Sequence, residues 1–553
     1  MPEEVILDVE TTSANPHQAT PLLVGLLNGT VSISETLPLK IQGKTVIGHN
    51  LKYDLTVLRR AGVSFQDCTY EDTMIMSYLL FPNHPRGLKY LSTCFLKQPM
   101  KELLEVYNES CRRINPAHKD RKSLPDGWWH QVGTKTLTGY LESDLRSTAR
   151  LYSYLRDKMA GKEQLEQWYD QVEKKVMVIL ASSELKGVKI DVENLKKLQE
   201  YFFKKTQLLE GKLKSLAGDK ELNLNSSKQL QKVLYEKFKL RKGKKTKEGY
   251  STDKATLGKL AQHHAFPKML LEYREVQKLQ STYVDSILEK VDSGARLHSS
   301  YNQCLTKTQR LSSENPNLQN IPSKTEYGKR IKRCFIAEQG FYLLQADYSQ
   351  VELRILAHLS QDPTLLSAFR DGKDLHKETA DRMGIDRHTA KIINFSIIYG
   401  KTAFGFAQDW GVSIEEAQKT IDNYFLNFPA VGIWIRNQQD YVKKMNGWTK
   451  NIAELPLYVG DPFTPYRSEY ESVMRQAVNF PIQSSSQCIL KKALVNIFEK
   501  YRLVPVLTVH DSLVYEISND SKVRKEDILW EMENAWKLDV PLKVDSVTLN
   551  RWE

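Results

Sequence analysis

The stretch FYLLQADYSQVELRILAHLS, Phe341 to Ser360, runs from an apolar strand into a helix and leaves Asp347 at the junction. A second stretch, VPVLTVHDSLVYEIS, Val504 to Ser518, reads as two short apolar strands around His510, Asp511 and Ser512, a tight hairpin with a carboxylate at its tip. Carboxylates at the ends of neighbouring strands can share a pair of metal ions. Neither stretch says that the strands are neighbours, and either aspartate alone serves equally well in a turn. Between them lies RHTAKIINFSIIYG, Arg387 to Gly400, with Arg387, Lys391, Phe395 and Tyr399 at four-residue intervals. On a helix such steps drift by only about 40°, so two cations and two aromatics line one stripe. Ile392, Ile393, Ile397 and Ile398 supply an aliphatic side for the core. The stripe is left to face a ligand or, in a lone amphipathic helix, water.

The bulk numbers narrow the choice. A chain of 553 residues exceeds what one core holds, so several domains are expected. Hydrophobic residues at 41% with 10% aromatics fit well-packed globular structure, and a formal charge of +12 favours a polyanionic partner, nucleic acid first. Cys68, Cys94, Cys111, Cys304, Cys334 and Cys488 lie far apart, without metal-ligand spacing, as in a reduced cytosolic protein. The start MPEEVILDVE is neither a secretory signal nor a transit peptide, and no apolar run reaches membrane-spanning length, so no membrane partner is expected.

Residues 1 to about 158 mix strand-like and helical runs, which reads as a compact α/β domain. From Leu195 the residues Leu198, Phe202, Leu209, Leu213 and Leu216 keep helical spacing in a long amphipathic helix. KFKLRKGKKTK, Lys237 to Lys247, then concentrates seven cations before a Gly-Tyr-Ser turn, either a solvated loop or a phosphate-contacting one. Beyond about residue 295 strand candidates alternate with long helices, with no internal repeat or low-complexity linker.

In EVILDVETT the apolar run leads into Asp8 and Glu10, which point to the same side of a strand. The two carboxylates repel unless protonated or bridged by a cation. Asp54 opens a helical segment after GHNLKY, and Tyr140 and Asp144 share a helix face in YLESDLRSTARLY. Four carboxylates can hold two Mg²⁺ ions around a scissile phosphate while the tyrosine orients the attacking water, which is nuclease chemistry. The set resembles the 3′-5′ proofreading exonuclease domain of polymerase I-like enzymes, with all five positions intact.

DYSQVELR, RHTAKIINFSIIYG and VHDSLVYE match in order the three polymerase motifs of the DNA polymerase I family (family A). KLQSTYVD, RLSSENPNLQNIP, DLHKETA and QAVNFPIQ extend the resemblance across nearly the whole chain. It implies an α/β and α+β multidomain fold: a ribonuclease H-like exonuclease domain at 1–158, then a right-hand polymerase domain at 159–553. Thumb is expected at about 165–290, palm at about 291–370 and 468–553, and fingers at about 371–467. By the resemblance Asp347, Asp511 and the carbonyl of Tyr348 hold two Mg²⁺ ions at the polymerase site, with Mn²⁺ an expected substitute. One metal activates the primer 3′-hydroxyl and the other steadies the triphosphate. Asp8, Glu10, Asp54 and Asp144 bind the exonuclease pair of ions. Arg387 and Lys391 grip the incoming dNTP, Lys391 as the possible proton donor to pyrophosphate. Phe395 packs on sugar and base, and Tyr399 stands beside the template. Glu352 closes the space of a ribose 2′-hydroxyl, with Gln350 and His376 near the nucleotide. Arg310, Arg475, Asn479, Gln483 and His510 contact primer-template DNA, largely in the minor groove. Single-stranded DNA is the expected partner of the exonuclease site.

The pattern also departs from the family. TQRLSS stands for TGRLSS, with Gln309 replacing glycine; Ser396 stands where glycine is common, and Ser512 where glutamate usually follows the aspartate. QSSSQC, Gln483 to Cys488, replaces QGTAAD, and GWTKNIAELP lacks the usual arginine-rich strand. With Asp8 almost at the N-terminus, no preceding 5′ nuclease is expected, nor is a thumb insertion that recruits a processivity partner. The reading is a proofreading DNA polymerase of bacteriophage replication, in the host cytoplasm. The alternatives are a bacterial or plasmid-borne repair polymerase, or an exonuclease with a merely DNA-binding C-terminal half.

Overall fold

The computed structural model describes residues 2–36, 41–247 and 249–552. Five strands near the N-terminus, β1 (Glu4–Thr11), β2 (Pro21–Asn28), β3 (Thr30–Ser34), β4 (Thr45–Gly48) and β5 (Thr69–Asp72), form a mixed sheet in the order β3-β2-β1-β4-β5. The central strand β1 runs antiparallel to β2 and parallel to β4. Its Val5, Leu7 and Val9 enter one apolar cluster and Ile6 another, so both faces are covered and the run is apolar without alternation. Helices α1 (Leu51–Arg60), α2 (Leu88–Leu96) and α3 (Thr134–Met159) follow. Leu141 and Leu145 of α3 lie on the Ile6 side, the side that Asp8 and Glu10 also face. Asp8 is paired with Gly25 of β2, and a Cβ on Gly25 would come within 2.6 Å of Leu145 Cδ1 and 3.0 Å of Leu141 Cγ. Glycine there lets α3 lie close, bringing Tyr140 and Asp144 over the strand.

Helices α4 (Val192–Ala217) and α5 (Ala265–Leu279) pack through Leu195, Leu198, Phe202, Leu209 and Leu213 against Phe266, Leu270, Tyr273 and Val276. Leu216, expected on the same stripe, is 44% exposed, because Ala217 takes the buried position one residue later. In the lysine-rich segment Lys245–Thr246 pairs with Gly249–Tyr250. The expected Gly-Tyr-Ser turn is therefore the return strand of a small hairpin, with the Tyr250 ring 5.5 Å from that of Tyr235 and tilted against it by 60°.

The second sheet contains β6 (Phe341–Tyr348), β7 (Leu507–Val509), β8 (Ser512–Ser518) and β9 (Val544–Leu549), all antiparallel, in the order β7-β8-β6-β9. Leu343, Leu507 and Val514 face the α4/α5 core, while Leu344, Ala346, Leu513 and Tyr515 face the larger core, the alternation of a sheet covered twice. Val504–Val506, read as the start of a strand, lies outside it: Pro505 has no N–H to give a ladder, and its carbonyl accepts the Ser183 hydroxyl instead. Above this sheet stand α6 (Val351–Ser360), α7 (Leu375–Met383), α8 (Arg387–Ile398) and the long α9 (Arg467–Tyr501). One apolar core runs from Val5 and Leu51 through Val176 and Ile179 to Leu344 and Ile489, joining the two sheets. All six cysteines are free, and among the described residues no helix is long and apolar enough to cross a membrane.

Candidate active sites

The first site lies on β1. Asp8, Glu10 and Asp144 each offer a carboxylate oxygen, and these atoms lie within 4.8 Å of one another. Burial, then the facing Asp144, pushes the Asp8 carboxyl up to about 7, and Glu10 is raised by burial and by Asp8 and Asp144. Asp54 is also raised, by burial and then by Asp8 and Asp72, so it belongs to the same group. Its helix is fixed by one carboxylate: Asp72 accepts from the N–H groups of Asn50 and Leu51 at the start of α1, and of Met74 and Ile75 in the next helix. Tyr140 and Asp144 lie one turn apart on α3, and Lys89 of α2 pairs with Asp144 while standing 4.4 Å from the Tyr140 ring. Asp144 Oδ1 is buried without a partner. Desolvated like charges held together, an orphaned oxygen and an all-oxygen donor set fit hard divalent cations.

The second site lies at the end of β6. The register sets Asp347 opposite Ser512 on one side and Asp545 on the other, and the Tyr348 N–H donates to the Asp511 carbonyl at 3.3 Å. Asp347 and Asp511, 164 positions apart in the chain, thereby share one sheet edge. His510 takes φ 54° to make the tight turn at the tip of the hairpin. Asp347 opens to the cleft, yet its carboxyl is pushed up to about 6 by desolvation at the floor and by Asp511 and Asp545. This pair also fits divalent cations. Tyr348 is buried, its phenol donating to the Met532 carbonyl at 2.7 Å.

Helix α8 starts on Asp386, whose carboxylate accepts from the N–H groups of His388 and Thr389. Arg387, Lys391 and Tyr399 are exposed and Phe395 half-buried, whereas Ile393, Ile397 and Ile398 are buried and Ile392 partly so. Arg387 is not free, however: both its Nε and Nη2 lie 2.7 Å from Asp374 Oδ2. Lys391 has no hydrogen-bond or ion-pair partner among the described residues. Buried Asn394 donates to His376 Nδ1 at 3.1 Å, which leaves the His376 proton on Nε2, and the His376 ring lies 5.8 Å from Phe395. Tyr399 lies near Glu352, which pairs with Arg310; Glu352 is raised chiefly by burial, and Asp511 adds to the rise. The C-terminal end of α8 therefore lies near Glu352 of α6 and Asp511 of the hairpin turn. Gly400 has φ 60°, and a Cβ there would come within 3.2 Å of Arg475 Cα on α9, so only glycine fits on both counts.

Arg475, Asn479 and Gln483 form a half-buried stripe along α9, and His510 is exposed at the hairpin tip. Arg310 Nε, Gln350 Oε1 and Asn479 Nδ2 are buried without partners. Five further residues escape the sequence reading. Lys89, Asp72, Asp374 and Asp545 sit beside the expected ones, and Gln487 reaches Asp511 Oδ1 from α9 at 3.3 Å. Asp72 and Asp374, each an acidic residue just before a helical run, carry a local signal, that of an N-cap.

A family model for DNA polymerase family A matches residues 192–553. The thermostable DNA polymerase I of Thermus filiformis is 39% identical over 439 residues, covering 76% of this chain and 52% of that protein. The DNA polymerase I of Treponema pallidum is 35% identical over 528 residues, covering 92% and 51%, and that of Pseudomonas aeruginosa is 33% identical, covering 100% and 63%. The chain thus spans between half and two thirds of the length of these relatives. Among solved structures, the polymerase domain of Pol1 from M. smegmatis, in complex with DNA primer-template and dNTP, superposes with a TM-score of 0.86 at 29% identity, covering 99% of this chain and 95% of that one.

Proposed function

The chain belongs to DNA polymerase family A, and from that premise we propose that it is a template-directed DNA polymerase extending a primer 3′ end with dNTPs, with a 3′-5′ exonuclease in its N-terminal part. The observation that carries the polymerase reading is the shared sheet edge of Asp347 and Asp511, with Tyr399 at the end of the α8 stripe near Asp511. Divalent cations held by Asp347, Asp511 and the Tyr348 carbonyl would supply activation of the primer hydroxyl and neutralisation of the triphosphate.

The chain's own residues would do the rest. Arg387 exchanges Asp374 for a phosphate, since a surface ion pair is worth little and a triphosphate carries more charge than a carboxylate. Lys391, without a partner, takes charge at the leaving group and can give it a proton. Phe395 packs on the sugar, and His376, held by Asn394, offers Nε2–H towards the nucleotide. Glu352 walls off the ribose 2′ position. Its ion pair with Arg310 means that Arg310 meets primer-template DNA as part of that wall. Arg475, Asn479, Gln483 and His510 complete the DNA-facing stripe.

In the N-terminal site Asp8, Glu10, Asp54 and Asp144 would hold the ions for hydrolysis of single-stranded DNA. Tyr140 would orient water as Lys89, which pairs with Asp144 and stands over the Tyr140 ring, is displaced. The domain reading is an exonuclease domain at 1–158 and a polymerase domain at 159–553. Within the latter, thumb lies at about 165–290, palm at about 291–370 and 468–553, and fingers at about 371–467. The departures at Gln309, Ser396, Ser512 and QSSSQC favour a bacteriophage replicative role, in the host cytoplasm, over bacterial repair. Extension of a labelled primer-template with Mg²⁺ tests the reading. Each added base should follow the template and stop where its dNTP is withheld. A folded protein that binds the duplex and adds nothing would overturn it.

A further inference from the structure

We propose that Gln487 is a positioning residue for Asp511, an inference that rests on the reading of Asp511 as a metal ligand. Gln487 sits on α9, 1% exposed, one turn beyond Gln483. Its Nε2 donates to Asp511 Oδ1 at 3.3 Å, and its Oε1 accepts the Leu311 N–H at 3.2 Å. The two bonds fix the amide: only the oxygen can meet a backbone N–H, so the NH₂ must face the carboxylate. Ser486 shares in this weakly, because its single hydroxyl proton lies nearer the Gln483 carbonyl (2.9 Å) than Asp511 Oδ1 (3.3 Å).

The anchor at Leu311 is itself fixed. Gln309, two residues earlier, is 2% exposed at φ 59°, and its Oε1 accepts from Ser484 Oγ at 2.8 Å and Asn451 Nδ2 at 3.0 Å. Asn451 Nδ2 also reaches Cys488 Sγ at 3.2 Å. The loop carrying Arg310 is thus stapled to α9 on both sides, through Gln309 to Ser484 and through Leu311 to Gln487. Gln309, Asn451, Ser484, Gln487 and Cys488 lie in the very segments that depart from the family pattern, and they meet in one buried cluster. Alanine, which the commoner QGTAAD pattern has in place of Gln487, could make neither bond. Ser512 gives Asp511 no help, since its hydroxyl donates to the Val509 carbonyl at 2.8 Å. Gln487 holds one Asp511 oxygen and leaves the other for the cleft, the part a hydrogen-bonded partner plays for a metal-ligating carboxylate.

The test uses the full chain carrying Asp8→Ala, so that Mn²⁺ binding is read at the second site. Gln487→Met keeps volume and loses both bonds; Gln487→Asn keeps the amide one methylene too short to span them. Two quantities are measured on the primer-template complex: Mn²⁺ affinity by electron paramagnetic resonance of the free ion, and the single-turnover rate of dNTP addition across Mg²⁺ concentrations. Both variants should lose about 10-fold or more in Mn²⁺ affinity and in rate at subsaturating Mg²⁺. Primer-template affinity should stay within about twofold, since Gln309 still ties the Arg310 loop to Ser484 of α9. If either variant binds primer-template normally and matches its parent in Mn²⁺ affinity and rate, the positioning role is overturned. If the parent adds no nucleotide, the polymerase reading falls instead.

Discussion

Asp8→Asn should stabilise the metal-free protein while disabling its N-terminal site. The Asp8 carboxyl is held at about 7 in the fold against an ordinary 3.8, chiefly by burial and the nearby Asp144. At about 1.4 kcal/mol per pH unit, ionising it in the fold opposes folding by about 4 kcal/mol, and its partial opening to the cleft trims this to roughly 2–3 kcal/mol. The sign follows from proton counting. Between pH 3.8 and about 7 the folded state keeps a proton that the unfolded state has lost, so stability falls through that window as pH rises and levels off above it. Glu10 and Asp54, raised for the same reason, act in the same direction. Asparagine has no charge to hold. In EDTA at pH 8, scanning fluorimetry should place the Asp8→Asn transition roughly 2–3 °C above the parent's, with a smaller gap at pH 5. Mg²⁺ should then raise the parent more than the variant, because the ions replace the missing protons. A parent whose stability in EDTA is flat from pH 5 to 8, or an Asp8→Asn protein less stable than the parent at pH 8, would refute the picture of a strained carboxylate cluster.

Three further outcomes follow from particular contacts. Lys491 lies 2.8 Å from Glu173, both 1% exposed, so Lys491→Met should lower stability by about 3–5 kcal/mol by leaving a buried charge, and Glu173→Gln in the same chain should recover most of it in a double-mutant cycle of chemical denaturation. Gly400→Ala should cost about 1–2 kcal/mol from its φ alone, and more from the approach to Arg475, with weakened dNTP binding in a KM measurement while primer-template affinity holds. Replacing Lys242, Lys244, Lys245 and Lys247 with alanine should weaken duplex binding irrespective of sequence and flatten its dependence on salt, as read from binding titrations at several salt concentrations.

The sequence carried the strands, the helices and nearly all of the charged residues, because periodicity, turns and paired carboxylates are local. Asp347 and the Asp511 hairpin were each legible alone. Their adjacency was not, since the β6–β8 register joins residues far apart in the chain. The stripe of α8 was legible from spacing, but Asp374's hold on Arg387 was not, because twelve residues and a helix end lie between them. Asp545 and Gln487 reach the site only through a neighbouring strand and a long helix, and nothing in their own surroundings marks them. Leu216 shows the opposite limit: spacing put it on the buried stripe, and the last turn of α4 buries Ala217 instead.

The central claim, two separate carboxylate sites with two activities in one chain, is tested most directly by assaying Asp511→Ala and Asp8→Ala side by side on one labelled primer-template and one labelled single strand. Asp511→Ala should lose templated extension and still shorten the single strand from its 3′ end. Asp8→Ala should extend the primer and leave the single strand intact. Loss of both activities in either variant, with its fold and DNA binding preserved, would contradict the account.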